Sequence, residues 1–319
     1  MTIRYPTDRL RRELGPARLE HGVRLAPFTT FRIGGRADLF FRARTTDDLV
    51  LAVSIAREEG VPYFLLGMGA NILVGDLGFR GLVIRNETAS VTWLDETRVR
   101  CASGVRVFPD LIDATVARGL GGLHHFVGIP SSVGGAIWQN LHFLSPAPER
   151  ERTMFVEEVV ESCEILSQEG DRRTVNREYF EFGYDYSILH DRDDIALSVT
   201  FALRPEDPET LRRVVRENLE WRDARHPDLW LYPCAGSIFQ KIEGIGAGRL
   251  IDECGLKGRV HGGAQIFHKH ANIIVNLGNA SADEVVWLMR LARDTVHREL
   301  GHELKPEIGL IGEFINPFE

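Results

Sequence analysis

The sequence has 319 residues, of which 44% are hydrophobic and 26% are charged, and its formal net charge at pH 7 is −8. This length and composition favour two or three globular domains with ample apolar material for buried cores. Because an acidic surface repels phosphate groups, general binding to nucleic acid or to an anionic membrane is disfavoured, and any anionic ligand must be held by a local site.

The cysteines and the amino-terminal segment bear on the cell compartment. Cys101, Cys163, Cys234 and Cys254 form no C-x-x-C pair, so neither a zinc site nor a redox pair is supported, and we expect no metal. No stretch approaches the ~20 apolar residues of a membrane helix. The first residues, MTIRYPTDRLRREL, lack the apolar segment of a signal peptide. We therefore expect a cytoplasmic protein with no membrane and no nucleic-acid partner.

The first predicted region mixes strands with one amphipathic helix. A short basic helix or arm is expected within residues 1–20. Thr46 is a plausible N-cap for a helix whose apolar residues recur at helical spacing and which ends at Gly60. Strands are predicted at 38–42, 63–66 and 82–84.

The pattern changes near residue 90 and again near residue 206. Short strands are predicted at 99–102, 159–166 and 195–203, with a helix near 109–118 and a surface loop at 145–153. Asp207 and Pro208 open a later helix, and Ser281 with Glu284 forms a capping box for the last one. This irregular mixture favours an α+β fold, which we divide at 1–88, 89–205 and 206–319.

Three segments combine glycine with small residues at the ends of predicted strands, at 29–35, 67–71 and 128–135. Each alone is also compatible with a simple tight turn, and none is a G-x-G-x-x-G or Walker sequence. Together they are consistent with a long cofactor that carries a diphosphate, because glycine lets backbone N–H groups approach phosphate oxygens. The candidate cofactor-binding residues are Thr30, Arg32, Gly34, Gly67, Gly69, Ala70, Asn71, Gly128, Ile129, Pro130, Ser131, Ser132, Gly134 and Gly135.

The order of the motifs along the chain is more specific than any one of them. They are TTFRIGG, LGMGANILVGDLGFRGLVI, GIPSSVGGAIWQN, FGYDYS, AGSIFQ, AGRLIDECGLKG, GGAQIFHKHANIIVN and LKPEIGLIG. Together they resemble the UDP-N-acetylenolpyruvoylglucosamine reductase (UDP-N-acetylmuramate dehydrogenase) family over residues 22–312. The resemblance implies a two-part FAD-binding region of the vanillyl-alcohol-oxidase (PCMH) type, followed by a C-terminal α+β substrate-binding domain.

The resemblance also implies an activity. NADPH would reduce FAD, and the enolpyruvyl ether of a UDP-sugar would then take the hydride on its vinyl carbon, a step of peptidoglycan synthesis and so of cell-wall growth and division. Ser237 matches the serine that protonates the adjacent carbon, and Glu307 matches the glutamate that steadies the intermediate. Without the surrounding motifs, Ser237 would be interpreted as a turn hydroxyl and Glu307 as a solvated carboxylate. The implied substrate-binding residues are Tyr184, Gln240, Lys241, Lys257, His270 and Asn272.

Three positions depart from the family motifs. The family sequence Tyr-Arg-x-Ser reads Tyr-Asp-Tyr-Ser here, which puts Asp185 at the catalytic position of an arginine; Gln240 replaces a lysine; and N-A-G-A-Y-G becomes residues 140–145, NLHFLS. We expect the loop to turn Asp185 outward and a cation to fill the gap. The candidates are Lys257, His268, Lys269 and Arg249.

The departures keep two alternatives open: a flavin oxidoreductase of the same fold on another substrate, or an FAD-binding protein that has lost turnover. The flavin is expected to be held without a covalent bond, with His124, His125 and His142 as the residues that would contradict this.

Overall fold

The computed structural model describes residues 5–146, 148–242 and 244–318. Its first region holds a four-stranded sheet in the order β1-β2-β5-β3, in which β1 is antiparallel and the other strands are parallel. The predicted helix and strands are confirmed. The elements are α1 (Asp8–Leu14), β1 (Leu19–Arg24), β2 (Arg36–Ala43), α2 (Thr46–Glu58), β3 (Tyr63–Leu66), β4 (Ile72–Val74) and β5 (Phe79–Asn86).

The N-cap of α2 is Thr45, so the expectation of Thr46 is wrong by one residue. The Thr45 hydroxyl accepts a hydrogen bond from the Asp48 backbone N–H at 3.0 Å, and the Asp48 carboxylate accepts one from the Thr45 N–H at 3.3 Å. Residues 45 and 46 are both threonine, but only Thr45 has the extended backbone that an N-cap requires.

The second region is built on a five-stranded antiparallel sheet in the order β12-β11-β13-β7-β6. Its elements are β6 (Val91–Trp93), β7 (Arg98–Ala102), α3 (Ile112–Ala117), β8 (Leu120–Gly121), α4 (Val133–Gln139), β9 (His142–Leu144), β10 (Thr153–Phe155), β11 (Val160–Leu166), β12 (Arg172–Asn176), β13 (Ile195–Ala202) and β14 (Arg204–Pro205).

Two loop predictions in this region need correction. The glycine-rich loop at 128–135 ends inside α4, because the Ser132 hydroxyl caps that helix and accepts a hydrogen bond from the Gly135 N–H at 3.3 Å. The segment 145–153 is not wholly a surface loop. Its first residue, Ser145, is fully buried and its hydroxyl lies 2.9 Å from both His125 Nδ1 and Asn218 Nδ2.

The third region packs two helices on a four-stranded antiparallel sheet, in the order β15-β18-β17-β16. The predicted Asp207 cap and the Ser281–Glu284 capping box are confirmed. The elements are α5 (Pro208–Arg225), β15 (Cys234–Ser237), α6 (Ala247–Glu253), β16 (Val260–His261), β17 (Ala264–Ile266), β18 (Ile273–Asn276), α7 (Ala282–Leu300) and β19 (Gly309–Ile311).

The first and third regions share a core. Phe31, Ile33 and Leu73 are buried among the apolar side chains of the third region, and β19 pairs in parallel with β4. The first two glycine loops are therefore held directly against the third region. None of the helices in the described part of the chain is long and apolar enough to cross a membrane.

Asp76 provides a second link between these regions. Its carboxylate oxygens accept hydrogen bonds from the first two N–H groups of α7, those of Ala282 at 2.9 Å and Asp283 at 3.0 Å. These N–H groups have no partner inside the helix, and a carboxylate also interacts favourably with the positive end of the helix dipole.

Replacing Asp76 by alanine should lower the free energy of unfolding by about 1–2 kcal/mol, because two helix N–H groups lose a charged acceptor. Urea unfolding followed by circular dichroism measures the change. Asp113→Ala, at an exposed position of α3, serves as the matched control and should cost less than about 0.5 kcal/mol. Equal effects of the two substitutions would show that Asp76 does not support α7.

Candidate active site

The three glycine loops predicted from the sequence lie against one another. A Cβ atom on Gly69 would lie 2.5 Å from the carbonyl oxygen of Phe28, and a Cβ atom on Gly67 would lie 2.6 Å from the Ser132 hydroxyl. The backbone N–H of Thr30 donates to the carbonyl oxygen of Gly69 at 3.1 Å. Because only glycine permits these approaches, the three loops pack closely against one another.

A cleft of about 290 Å³ lies beside the first two loops. Two of the predicted cofactor-binding residues, Thr30 and Arg32, contribute to its wall. The complete lining is Pro27, Phe28, Thr29, Thr30, Arg32, Met68, Arg85, Leu229 and Trp230. Arg32 also holds the wall together, since its guanidinium donates to the carbonyl oxygen of Trp230 at 3.3 Å and lies 5.0 Å from the centre of that indole ring.

Arg85 is the unsatisfied cation of this cleft. It stands near the end of β5, in register with Leu66, the residue before the second glycine loop. Its Nε and Nη1 atoms are buried and find no hydrogen-bond partner among the residues that the structure describes. Burial lowers the pKa of Arg85; nearby Glu87 opposes this shift, and Arg42 adds to it. A buried guanidinium without partners is costly, which indicates that an acceptor from a ligand completes it.

The other predicted cofactor-binding residues lie in three places. Gly34 lines a second cleft of about 500 Å³, where a Cβ atom would lie 3.0 Å from that of Val74. Ala70 and Asn71 lie at the end of the second loop, and Asn71 Nδ2 donates to the Glu307 carbonyl oxygen at 3.4 Å. In the third loop the residues run from the left-handed Gly128 into α4; they are Gly128, Ile129, Pro130, Ser131, Ser132, Gly134 and Gly135.

A short antiparallel bridge brings together the two predicted catalytic residues, which are 70 positions apart in the chain. The Glu307 N–H donates to the Ile238 carbonyl oxygen at 2.8 Å, and the Gln240 N–H donates to the Lys305 carbonyl oxygen at 2.9 Å. Ser237 therefore lies one residue from the backbone partner of Glu307. The side chain of Gln240 itself is exposed.

Asn272 fixes the Ser237 segment from the other side. Its Oδ1 accepts a hydrogen bond from the Phe239 N–H at 3.0 Å, and its Nδ2 donates to the Phe239 carbonyl oxygen at 2.8 Å. Its own carbonyl oxygen accepts from the Ile238 N–H at 2.8 Å. Although the sequence suggested a substrate contact, the buried amide of Asn272 is occupied in positioning the strand that carries Ser237.

Asp185 points into the protein, so the expectation that its loop turns it outward is wrong. Its side chain is only 4% exposed, and neither carboxylate oxygen accepts a hydrogen bond from the described residues. The Gly183 N–H donates to the Tyr186 carbonyl oxygen at 3.0 Å, which closes a tight turn with Asp185 in the left-handed region at φ 54°. Aspartate tolerates that conformation better than most residues.

The charges around Asp185 act on one another. Burial raises the pKa of Glu307 to about 8; the charge of Asp185 adds to this shift, and the ammonium of Lys241 opposes it. Burial, Asp185 and Glu307 also raise the pKa of Tyr184, whose ring lies 5.4 Å from Lys241 Nζ. At neutral pH Glu307 is therefore largely protonated and can donate a hydrogen bond to developing negative charge.

The cations expected to compensate for Asp185 are engaged elsewhere or exposed. Arg249 pairs with Glu253 at 2.8 Å on an exposed face of α6, and Lys257 pairs with Asp252 at 2.5 Å. His268 and Lys269 are exposed. The cationic or titratable groups that act on the site are instead Lys241 and His142, whose Nδ1 lies 3.6 Å from Asp185 Oδ1.

Of the remaining substrate-binding candidates, His270 is the most unusual. Its Nδ1 is buried with no hydrogen-bond partner in the described part of the chain, and burial lowers its pKa, helped by Lys257. Its ring lies 5.5 Å from that of His226, so this pair of neutral imidazoles forms a polar patch apart from the Asp185 cluster.

No group of three or more histidine, cysteine or acidic residues within 5–146, 148–242 and 244–318 could hold a metal ion. His124 and His125, two of the three histidines that could attach a flavin, are buried with their rings 3.9 Å apart. Burial lowers the pKa of His124 to about 3 and that of His125 to about 4. Non-covalent flavin binding stays a prediction.

Sequence reasoning missed Arg85, Arg222 and the role of His142. Arg222 Nε would lie 3.0 Å from a Cβ atom on Gly128, and burial lowers the pKa of Arg222 to about 10. A signal for Arg85 was present in the sequence, since an arginine interrupts the apolar run LVIRN of β5. No sequence signal placed Arg222 beside the third glycine loop.

Comparisons with known proteins agree with this geometry. Residues 37–176 match the family described as FAD binding domain, and residues 227–311 match the C-terminal domain of UDP-N-acetylenolpyruvoylglucosamine reductase. The reductase of Moorella thermoacetica is 37% identical over 91% of this chain and 92% of its own, and that of Oceanobacillus iheyensis is 33% identical over 89% of each. The crystal structure of the reductase from Thermus caldophilus has a TM-score of 0.76 at 32% identity, covering 92% of this chain and 99% of that one.

These matches confirm the expected α+β class and the vanillyl-alcohol-oxidase type of FAD-binding region. The residues present fit FAD. The glycine loops pack together beside a cleft, and Arg85, which lines that cleft, has two buried donors without acceptors in the described chain. Oxygens of the cofactor would supply such acceptors.

Replacing Arg85 by methionine should act in opposite directions on FAD binding and on folding. FAD affinity should fall about 10- to 100-fold, because a charged hydrogen bond is lost. The free energy of unfolding of the flavin-free protein should rise, because a desolvated cation without partners is removed. Flavin fluorescence titration and urea unfolding measure the two. Arg100→Met, at an exposed position of β7, is the control and should change neither FAD affinity nor the free energy of unfolding. If Arg85→Met lowers both quantities, Arg85 is purely structural.

The carboxyl group of Glu307 should titrate with a midpoint of about 8. Asp185→Asn should lower the midpoint, because it removes a like charge, and Lys241→Met should raise it, because it removes an opposite one. Carbon-13 NMR of glutamate-labelled protein measures the midpoint, with Glu307→Gln identifying the signal. A midpoint near 4.5 that neither variant moves would contradict the buried cluster.

Proposed function

This chain belongs to the UDP-N-acetylenolpyruvoylglucosamine reductase family, and we propose that it reduces UDP-N-acetylenolpyruvoylglucosamine to UDP-N-acetylmuramate with FAD and NADPH. The observation that carries the proposal is the backbone bridge that holds Ser237 beside Glu307 at the edge of the glycine-loop surface. The reaction is a step of peptidoglycan synthesis. The proposal includes a cytoplasmic location and three domains divided near residues 88 and 205. Each region has a main hydrophobic cluster of its own, and Phe31, Ile33 and Leu73 of the first region pack into that of the third.

The cofactor would lie along the three glycine loops, with Arg85, Thr30 and Arg32 among its polar contacts. FAD, when bound and reduced by NADPH, supplies a hydride to the terminal vinyl carbon of the substrate. The electron pair of the double bond then moves onto the carbon that bears the carboxylate, so negative charge spreads into that group as an enolate.

The residues of the chain act on that enolate. Ser237 donates its hydroxyl proton to the carbon that bears the carboxylate, and a serine can do this to so basic a carbon only when it is held close and shielded. Glu307, protonated at neutral pH, donates a hydrogen bond to the enolate oxygen, and Lys241 adds positive charge. Tyr184, which stays neutral, offers its ring and hydroxyl as a wall of the substrate site.

A second candidate function has one observation in its favour. Asp185 is buried where the family motif has arginine, and a carboxylate at this place would repel a substrate carboxylate unless a cation masks it. The second candidate is therefore a flavin oxidoreductase of the same fold that acts on a different substrate. NADPH would reduce its flavin, and the enolpyruvyl substrate would not reoxidise it.

Replacing Ser237 by alanine should separate the two half-reactions. Reoxidation of the reduced flavin by substrate should slow by ~10²–10⁴, the usual contribution of a general acid, because the carbon no longer receives its proton. Reduction by NADPH should be unchanged, since that step needs no acid at carbon. Stopped-flow absorbance of the flavin follows both.

The control for this measurement is Ser90→Ala, at an exposed position between β5 and β6. An equal loss in both half-reactions of Ser237→Ala would mean that Ser237 only shapes the site. A wild-type protein whose reduced flavin is never reoxidised by the substrate would refute the first function and leave the second.

A further inference from the structure

Two of the departures from the family motifs lie in contact. His142, at the position of a glycine in N-A-G-A-Y-G, and Asp185, at the position of the arginine, approach to 3.6 Å between Nδ1 and Oδ1. Their side chains are 19% and 4% exposed. Each departure taken alone is unfavourable, since a buried carboxylate without a cation is costly and would repel an anionic ligand.

The chain holds this pair through Asn140. Asn140 ends α4 in the left-handed conformation and is fully buried. Asn140 lies two residues before His142, and its Nδ2 donates to the carbonyl oxygen of Gly183 at 2.9 Å, which anchors the turn that carries Asp185. The Ser187 hydroxyl donates to the Trp138 carbonyl oxygen at 2.9 Å and fixes the other end of the turn. The pair is thus positioned by the backbone and not by a mobile loop.

The surroundings of His142 assign its proton. Nδ1 faces two acceptors, the carboxylate of Asp185 and the carbonyl oxygen of Asn140 at 3.3 Å, so the neutral ring carries its proton there. Nε2 has no hydrogen-bond partner among the residues that the structure describes. The ring packs 4.5 Å from Tyr184 and 5.3 Å from Phe155, which fixes its plane.

We propose that His142, oriented by Asp185, is the cation that binds the substrate carboxylate in this protein, in place of the missing arginine. This assignment rests on the proposed function. In the free protein the Nε2 atom of His142 is unprotonated and can accept a hydrogen bond. When an anionic carboxylate enters, Nε2 takes up a proton from solvent and donates a hydrogen bond to it, while the charge of Asp185, 3.6 Å from Nδ1, stabilises the imidazolium.

The assignment makes substrate binding pH-dependent. Burial lowers the pKa of His142, Asp185 and the Asn140 carbonyl raise it, and Lys241 lowers it. Among the other titratable groups around Asp185, Glu307 and Tyr184 have raised pKa values that favour their neutral forms. Burial lowers the pKa of His190, and Asp185 opposes that shift. Affinity for the anion should therefore be highest at low pH. It should fall first as His142 loses its proton and again near pH 8 as Glu307 does.

The test measures the affinity of the oxidised holoenzyme for the enolpyruvyl substrate from pH 5 to 9, by perturbation of the flavin spectrum without NADPH. His142→Gln should weaken binding about 10- to 100-fold at low pH and abolish the first fall, while leaving the fall near pH 8. Asp185→Asn should move the first fall about one pH unit or more lower, because the opposite charge beside His142 is gone.

Two further variants complete the design. The double variant His142→Gly with Asp185→Arg restores the family residues at both positions, and its affinity should return to within about tenfold of wild type without the first fall. His21→Gln, at an exposed position of β1, is the matched control and should behave as wild type. Flavin content and melting temperature of each variant report whether it is folded.

Each result decides the assignment. An unchanged affinity and pH profile in His142→Gln, with a large loss in Lys241→Met, would overturn it in favour of Lys241. An affinity for Asp185→Arg alone that exceeds wild type would overturn it too, since His142 would then be unnecessary. A wild-type protein that binds no substrate would refute the proposed function and the assignment together, whereas binding that ignores His142 would refute only the assignment.

Discussion

The site depends on a few backbone hydrogen bonds that tie distant segments together. The bridge between residues 238–240 and 305–307 brings Ser237 to Glu307, and the amide of Asn272 locks it from behind. The same assembly reaches the glycine loops, because the Thr30 hydroxyl donates to the Cys234 carbonyl oxygen at 2.7 Å. Because these contacts use backbone groups and buried amides, they can form regardless of which side chains face the ligand. The catalytic pair can therefore persist while the residues around it change.

Several side chains of the proposed site are left unsatisfied by the protein itself. Arg85 has two donors, Asp185 two acceptors and His270 one ring nitrogen that are buried without partners in the described chain. Each costs stability in the free protein, as does the buried carboxyl of Glu307. Such groups persist in a folded protein when a ligand completes them, so the free protein is a strained form that gains stability as its ligands bind.

Sequence reasoning found what depends on local chemistry. The capping box of Ser281 and Glu284 and the Asp207 cap follow from short-range preferences, and the structure contains both. It was wrong by one residue at α2, where two successive threonines offered a cap. It failed where tertiary packing decides, since Ser145 is buried beside His125 and Asn218, which are distant in the sequence. Motif order predicted that Ser237 and Glu307 belong to one site, but periodicity and spacing could not have placed them together.

The orientation of Asp185 shows most clearly why a single-position comparison with a family is insufficient. Considered alone, an aspartate in place of an arginine reverses the charge of the site, and the natural expectation is that it turns away. The structure leaves no such freedom, because Asn140 and Ser187 clamp both ends of its turn to α4. The charge must then be balanced where it stands, and the balancing group arises at a second changed position, His142.

The same electrostatics makes the substitutions at positions 142 and 185 depend on each other. A histidine introduced beside the family arginine would lose its proton, because two neighbouring cations repel, and could serve no purpose as a charge. An aspartate introduced beside glycine would leave a buried anion opposite a substrate carboxylate. Only the two together give a site in which a positive group faces the ligand. With Glu307 neutral and Lys241 nearby, the protonated pair leaves the site with a net positive charge, as an arginine would. Unlike an arginine, a histidine can lose its proton, so the exchange converts a permanent cation into a titratable one.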